Sequence, residues 1–344
     1  MIPNQWYAIY ESKSLRSDRP VGIKRLGEKL LLWRRPSGQV SCLPDRCSHR
    51  GSALSGGAIV GDCVECPFHG LLFGDDGRCR LIPTDGPGKP VPRRFHLQPF
   101  MVREKYDLVW LWYGEMRDHY PPIPWIEDRP VLNSESNQSS THIREVPVHY
   151  ARYVEASLDV HHVPVLHKSI SQGSEKAVQE CRAELRGDEL DNACLMVWPG
   201  GKKTMELLVR LKFPNLLYLD FAERWHGMTI YTPIDEHNTW AFSRFAQSYV
   251  RVPLLGKAMV WAHLNFFYWP WVQDREDIPM MKAMQSPRPN PVDWNLCGAD
   301  KGIALYFKER ARLIEQARDC ELWPGFTPRP RATLRRGAAI GGEA

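Results

Sequence analysis

Disulfide-density cysteine, excess charge of one sign and long apolar runs are all scarce in this chain. Nine cysteines in 344 residues are too few, and odd in number, for a scaffold stapled by disulfides. The net charge is only +5, and residues 327–344 hold four arginines against one glutamate. The rest is near neutral, without the basic face that nucleic-acid binding requires. There is no internal repeat. No glycine-rich loop follows a strand with the spacing of a nucleotide fingerprint, so no flavin or nicotinamide site is expected. Met1–Trp6 lacks the basic start and apolar core of a signal peptide. A reducing cytoplasm is therefore the expected location, where clustered cysteines read as metal ligands or redox groups. One apolar run, Pro253–Val272, approaches the length of a membrane span but is interrupted by Lys257, His263 and Pro270. It reads as an amphipathic helix over an apolar pocket, with membrane-surface contact ranked second.

What is present describes a folded protein of about two domains: hydrophobic residues make up 43 % and charged residues 25 %. Over the first 115 residues, short alternating runs such as Trp6–Tyr10, Leu30–Trp33 and Leu108–Tyr113 are separated by Gly and Pro clusters. That pattern predicts a small all-β domain. Pro121–Pro124 is the clearest linker, followed by the polar run Asn133–Ser140. Val146–His167 contains a helix expected to break near Pro164. Antiparallel strands are expected across 204–250, then helices near 254–285 and 300–318, then a disordered Arg/Pro/Gly-rich tail.

Two constellations carry chemistry. The first is Cys47-Ser48-His49 and Cys66-Pro67-Phe68-His69, with sixteen residues between His49 and Cys66. Gly51 and Gly70 follow, where backbone can approach a bound group closely. Two thiolates and two imidazoles suit a closed tetrahedral zinc site. They equally suit a 2Fe–2S cluster with both cysteines on one iron and both histidines on the other. The remaining cysteines (42, 63, 79, 181, 194, 297 and 320) read as small buried apolar residues.

The second constellation is Asp159-x-x-His162-x-x-x-x-His167. A 2-His-1-carboxylate facial triad holds Fe(II) on one face and leaves the opposite positions open for dioxygen. Histidines five residues apart lie roughly 140° out of register on a regular helix, so a break between them is needed. Isolated histidines are ordinarily surface or hydrogen-bonded polar residues, and His96, His119, His142, His149, His226, His237 and His263 are read that way. His161 points about 100° away from His162 on a helix and reads as a surface or supporting residue.

Taken together, the motifs resemble the terminal oxygenase (alpha) subunit of Rieske non-haem iron oxygenases. The Cys-x-His and Cys-x-x-His pairs, with Arg50-Gly51 and Pro67-Phe68-His69-Gly70, are similar to the Rieske motif of the oxygenase and ferredoxin branch. The cytochrome-complex branch adds a cysteine to each loop, and here Gly51 stands two beyond His49 while Cys42, Cys63 and Cys79 miss the clamp positions. The resemblance runs from Asn4-Gln5-Trp6-Tyr7 to the helix at 299–317. It implies Cys47, His49, Cys66 and His69 as 2Fe–2S ligands, and His162 and His167 as ligands of a mononuclear iron. The family's third ligand lies on a later helix in an acidic pair, matched by Glu276-Asp277, so Asp277 is implied, 110 residues after His167. Asp274 is the rival, with Asp293 and Asp300 weaker. Asp159 is implied to be the bridge from His162 to a cluster histidine of the neighbouring subunit. Where many relatives have Asn, three residues before this Asp, the chain has Ala156, which loses polar support on that side without removing a ligand.

The implied fold class is α+β: a Rieske domain over 1–118, a helix-grip (START-like) catalytic domain with an antiparallel sheet over 119–326, and the tail 327–344. The implied cofactors are a 2Fe–2S cluster and a mononuclear Fe(II). A ferredoxin or NAD(P)H-dependent reductase would supply electrons, and the chain would assemble as a homotrimer. The implied function is O2-dependent hydroxylation, dealkylation or desaturation of an organic substrate, bulky and apolar or aromatic. The competing function is a non-catalytic Rieske electron carrier or a zinc-binding protein, which leaves His162, His167 and Asp277 without a purpose.

Overall fold

The computed structural model describes residues 1–128, 132–134, 136–168, 178–197, 204–221, 225–252, 254–284, 289, 294–322 and 326. Pro253, Gln285, Asp293 and the tail 327–344 lie outside them.

The N-terminal part is all β. Strands β1 (Gln5–Glu11), β9 (Val102–Lys105) and β10 (Leu108–Tyr113) form one antiparallel sheet in the order β1-β10-β9. A second joins β2 (Val21–Arg25), β3 (Glu28–Arg34) and β4 (Val40–Pro44), and a third joins β5 (Ala58–Val60), β6 (Cys63–Glu65), β7 (Leu72–Phe73) and β8 (Cys79–Leu81). The period of two along a strand divides β10 between two cores. Leu108, Trp110 and Trp112 face the C-terminal domain, while Val109, Leu111 and Tyr113 face the interior of their own.

The C-terminal part is a seven-stranded antiparallel sheet ordered β11-β17-β16-β15-β14-β13-β12. Its strands are β11 (Ser139–Val146), β12 (Val178–Arg186), β13 (Glu189–Val197), β14 (Thr204–Lys212), β15 (Leu216–Phe221), β16 (Trp225–Pro233) and β17 (Thr239–Gln247). Alternation again assigns faces. Leu216, Tyr218, Trp240 and Phe242 pack against the tryptophans of the N-terminal domain, whereas Leu217, Ala241 and Phe245 pack under helices. The helices are α1 (Tyr150–Leu158), α2 (Val163–Leu166), α3 (Leu255–Ala262), a π-helical stretch His263–Asp277, α4 (Ile278–Ala283) and α5 (Lys301–Gln316). This is the α+β, helix-grip arrangement expected from the sequence. Backbone hydrogen bonds lock the two parts together: Leu26 N donates to Pro233 O at 2.7 Å and Gly27 N to Ile234 O at 2.9 Å.

The run that begins at Pro253 is helical from Leu255 but apolar on both its buried and its exposed side rather than amphipathic. Leu264, Trp269 and Val272 turn inward, while Trp261 and Phe266 face solvent. Among the described residues, no helix is long and apolar enough to cross a membrane.

Two expectations are corrected and two connecting segments are placed. The break after α1 falls at Asp159, not at Pro164; Pro164 sits in the first turn of α2, where its missing N–H costs nothing. In the linker Pro121–Pro124, Ile123 is buried and, with Trp125 and Ile126 just beyond it, joins the core shared with the tryptophans of β10. The polar run Asn133–Ser140 ends inside β11, pairing with β17. Cys181 and Cys194 face each other across β12 and β13 and are joined as a disulfide, and Cys297 is exposed.

Candidate active site

The two Cys/His loops repeat one backbone geometry. Cys47 N donates to Ser52 O and Gly51 N donates back to Cys47 O, both at 2.8 Å. Cys66 N donates to Leu71 O at 2.8 Å and Gly70 N to Cys66 O at 3.0 Å. Closing this turn needs a left-handed residue in each loop, and Gly51 (φ +80°) and Gly70 (φ +72°) provide it without a Cβ penalty. The result buries both thiols and leaves both imidazoles at the surface, with the rings of His49 and His69 4.7 Å apart. Burial pushes the Cys47 thiol up to about 11, and the neighbouring Cys66 adds to the rise despite the opposing backbone N–H of His49. Two inward thiols and two outward imidazoles fit a cluster with one buried and one exposed iron.

The second site is built where α1 stops. Asp159 caps α1, its N–H bonding to Glu155 O at 3.0 Å, and its carboxylate then accepts the N–H of His162 at 3.2 Å. A single 3₁₀ turn, Val160–His162, leads into α2, and His167 ends α2. The broken path cancels the angular mismatch of histidines five apart. His162 Nε2 lies 3.2 Å from His167 Nε2, while Asp277 Oδ1 lies 3.1 Å from His167 Nε2 and 3.7 Å from His162 Nε2. An octahedral face with bonds of about 2.1 Å has edges of about 3.0 Å, so these three atoms fit a divalent iron in size and donor type.

Neighbouring groups hold this face in place. Glu276 Oε2 is 2.6 Å from His167 Nδ1, and Gln273 Nε2 donates to Asp277 Oδ2 at 2.6 Å. Burial works against a charged His167, but the Asp277 and Glu276 carboxylates outweigh it and raise its basicity. Burial likewise opposes the Asp159 anion, yet hydrogen bonding and charge from His162, with His161 beyond, hold its carboxyl below the usual range. Asp274 points elsewhere, to Arg144 at 3.0 Å. His161 lies 3.9 Å from Asp159 and outside the triad, and Asp300 belongs to a separate group with it.

A cavity of about 380 Å³ opens onto the triad. Its wall is mostly aromatic and aliphatic, including Tyr153, Leu207, Trp225, Phe245, Phe267 and Met281. His263, read from the sequence as an ordinary polar histidine, lines this cavity, and burial lowers its basicity. Tyr153 Oη and Gln273 Oε1 are buried in the same wall without a hydrogen-bond partner among the described residues. Gln273 and Tyr153 stand in no motif; only the one-turn spacing of Gln273 before Asp277 hints at contact.

Paired thiolate–imidazole loops in a small β domain define an iron–sulfur protein of the Rieske type, and residues 5–100 match the family model of the Rieske [2Fe-2S] domain. The chain is 32 % identical over 169 residues to the chloroplastic protein TIC 55 of Pisum sativum, covering 47 % of this chain and 29 % of that protein. To the oxygenase component of dicamba O-demethylase from Stenotrophomonas maltophilia it is 28 % identical over 214 residues, 62 % of this chain and 61 % of the relative. The crystal structure of dicamba monooxygenase bound to dicamba superposes with a TM-score of 0.75 at 21 % identity, covering 93 % of this chain and 99 % of that one. The matches span less than a third of the length of the chloroplast relatives. The chain thus carries a Rieske [2Fe-2S] domain over residues 5–100, which implies a 2Fe–2S cluster, and shares its overall fold with dicamba monooxygenase, while His162, His167 and Asp277 form a group that could hold a metal ion.

Proposed function

We propose that this chain is the oxygenase component of a multicomponent Rieske oxygenase, and that it oxidises a bulky, largely apolar or aromatic molecule. The observation that carries the reading is the convergence of His162, His167 and Asp277 on the wall of an apolar cavity. Cys47, Cys66, His49 and His69 would hold the 2Fe–2S cluster, and His162, His167 and Asp277 the iron. Together these groups supply electron storage and dioxygen activation when bound. The protein's own part is geometry. Exposed His49 and His69 offer an edge to a ferredoxin or reductase, and to a neighbouring subunit in a head-to-tail trimer. Asp159 would link His162 to the corresponding histidine edge of a neighbouring subunit. The aromatic wall excludes water, while the Tyr153 hydroxyl and the Gln273 carbonyl await a polar group on an otherwise apolar substrate. Hydroxylation, dealkylation and desaturation all suit this arrangement, and a cytoplasmic setting suits the free thiols.

Oxygen-dependent product profiling tests this reading, using lipophilic and aromatic candidates with a surrogate reductase. Metal content distinguishes the alternatives: about three irons per chain for the oxygenase, two for an electron carrier, and none for a zinc protein. A three-iron protein that consumes oxygen only with a lipophilic substrate is the expected result. A chain with stoichiometric zinc and no iron overturns it.

A further inference from the structure

His161, Cys297 and Asp300 bring three metal-ligating atoms within 4.8 Å of one another, with His161 Nε2 3.9 Å from Asp159 Oδ1. They come from different parts of the chain. His161 lies in the 3₁₀ turn after α1, with its side chain 44 % exposed. Cys297 and Asp300 frame the short turn that leads into α5.

That turn is rigid. Cys297 N donates to Asp300 Oδ2 at 2.8 Å, and the Asp300 backbone N–H returns a bond to the Cys297 sulfur. The reciprocal bonds fix the thiol and the carboxylate side by side before any ion arrives. A tetrahedron with bonds of about 2.0 Å to nitrogen and oxygen and about 2.3 Å to a single sulfur has edges of roughly 3.3–3.5 Å. The three atoms lie within 4.8 Å of one another, so a bound ion must draw them together to reach that value. The donor set is one thiolate, one imidazole and one carboxylate, open to water on its fourth side. Such a mixed, soft-containing set discriminates against magnesium and calcium and suits zinc and its thiophilic neighbours.

We propose that His161, Cys297 and Asp300 form a second, solvent-open site for a thiophilic divalent cation of the Zn2+ type, separate from the iron triad. The site uses none of the residues that hold the iron, so it stands whether or not the oxygenase reading holds.

The test uses the full-length, iron-loaded protein, titrated with Zn2+ and desalted, with metal content measured per chain. Wild type should retain one zinc equivalent beyond its iron content. Cys297→Ser and His161→Ala should each lose that equivalent while keeping their iron and cluster spectrum. Asp277→Ala, which empties the triad, should still take up the extra zinc, which separates this site from the iron site. A second readout is independent of metal counting. Saturating Zn2+ should slow maleimide labelling of Cys297, followed by peptide mass spectrometry, by about tenfold or more, because a metal-bound thiolate is a poor nucleophile. An extra equivalent that persists in Cys297→Ser, or labelling of Cys297 indifferent to Zn2+, overturns the proposal.

Discussion

Glu276 Oε2 stands 2.6 Å from His167 Nδ1, next in sequence to the carboxylate that faces the same imidazole from its other nitrogen. Adjacent residues thus grip opposite edges of one ring, and this requires the chain at 276–277 to project two side chains to one side. The π-helical stretch ending at Asp277 does so. A carboxylate on Nδ1 fixes which nitrogen keeps the proton and leaves Nε2 free to donate its lone pair.

Glu276→Ala should therefore weaken iron retention about 10–100-fold, the usual cost of losing such a support, without altering the 2Fe–2S spectrum. Glu276→Gln, which still offers an oxygen, should fall between. Iron content against a graded chelator series checks this. Equal retention in all three proteins would mean that the contact does not orient His167.

The choice between two carboxylates can be read the same way. Asp277→Ala should lose mononuclear iron and product formation while its cluster persists. Asp274→Ala should lose only an ion pair with Arg144 whose side chains are 31 % and 39 % exposed, at most about 1 kcal/mol of stability. Thermal denaturation and iron analysis of the pair of variants suffice. Reversed effects would shift the assignment by a helical turn.

Much of this candidate site is legible in the sequence because its proposed ligands lie in short local motifs. Cys47, His49, Cys66 and His69 fall on two turns whose glycines announce the backbone they need. The α1–α2 break is legible only in part. Proline at 164 draws attention, yet the chain turns at Asp159, because a carboxylate can cap the following turn and proline is at ease in a helix's first turn. Strands β12 and β13 carry alternation around Gly187, but their polar faces hide it, and the pairing of Cys181 with Cys194 emerges only when the register is known. The Gln273–Asp277 bond is one helical turn long and only hinted at by spacing, whereas the roles of Tyr153 and Glu276 depend on an unpartnered atom or on a contact over a hundred residues away, which no local pattern encodes.

The cluster loops give a spectroscopic expectation. Purified protein should be red-brown, and reduction should give the low-average-g signal of a histidine-ligated 2Fe–2S centre. Cys66→Ser should abolish both, since a hydroxyl is a poor substitute for a buried thiolate ligand. A Cys66→Ser protein that keeps its colour would remove Cys66 from the ligand set.

Glu155 gives a dependence on pH. Burial pushes its carboxyl up to about 7, against the pull of Arg152 at 2.6 Å, and the charges of Asp159 and Asp300 push the same way as burial. In the unfolded chain the group titrates near about 4.3. The folded state therefore binds the extra proton between those values. Its contribution is fully present below the unfolded pKa and is lost as pH rises through about 7. Wild type should lose on the order of 1–3 kcal/mol from this group between about pH 4.5 and pH 8, and Glu155→Gln should show a flatter melting-temperature profile. Parallel profiles would mean that Arg152 keeps Glu155 ionised throughout.

Asp159 offers the sharpest test of the electron path. Its carboxylate accepts the His162 N–H and lies 3.8 Å from His162 Nδ1, so the proposed role is connection and not ligation. Asp159→Asn is nearly isosteric and should keep both metal centres and the oligomer, while removing the charge that orients His162. Product formation should collapse, and the reduced cluster should reoxidise slowly even with substrate and oxygen present. Mixed oligomers then ask whether the path crosses a subunit boundary. Cluster-defective Cys66→Ser chains assembled with iron-defective His162→Ala chains should recover part of the activity, because an intact cluster then faces an intact iron across an interface. No recovery in verified mixed oligomers would mean that electrons stay within one chain, and Asp159 would then have to serve the cluster of its own subunit.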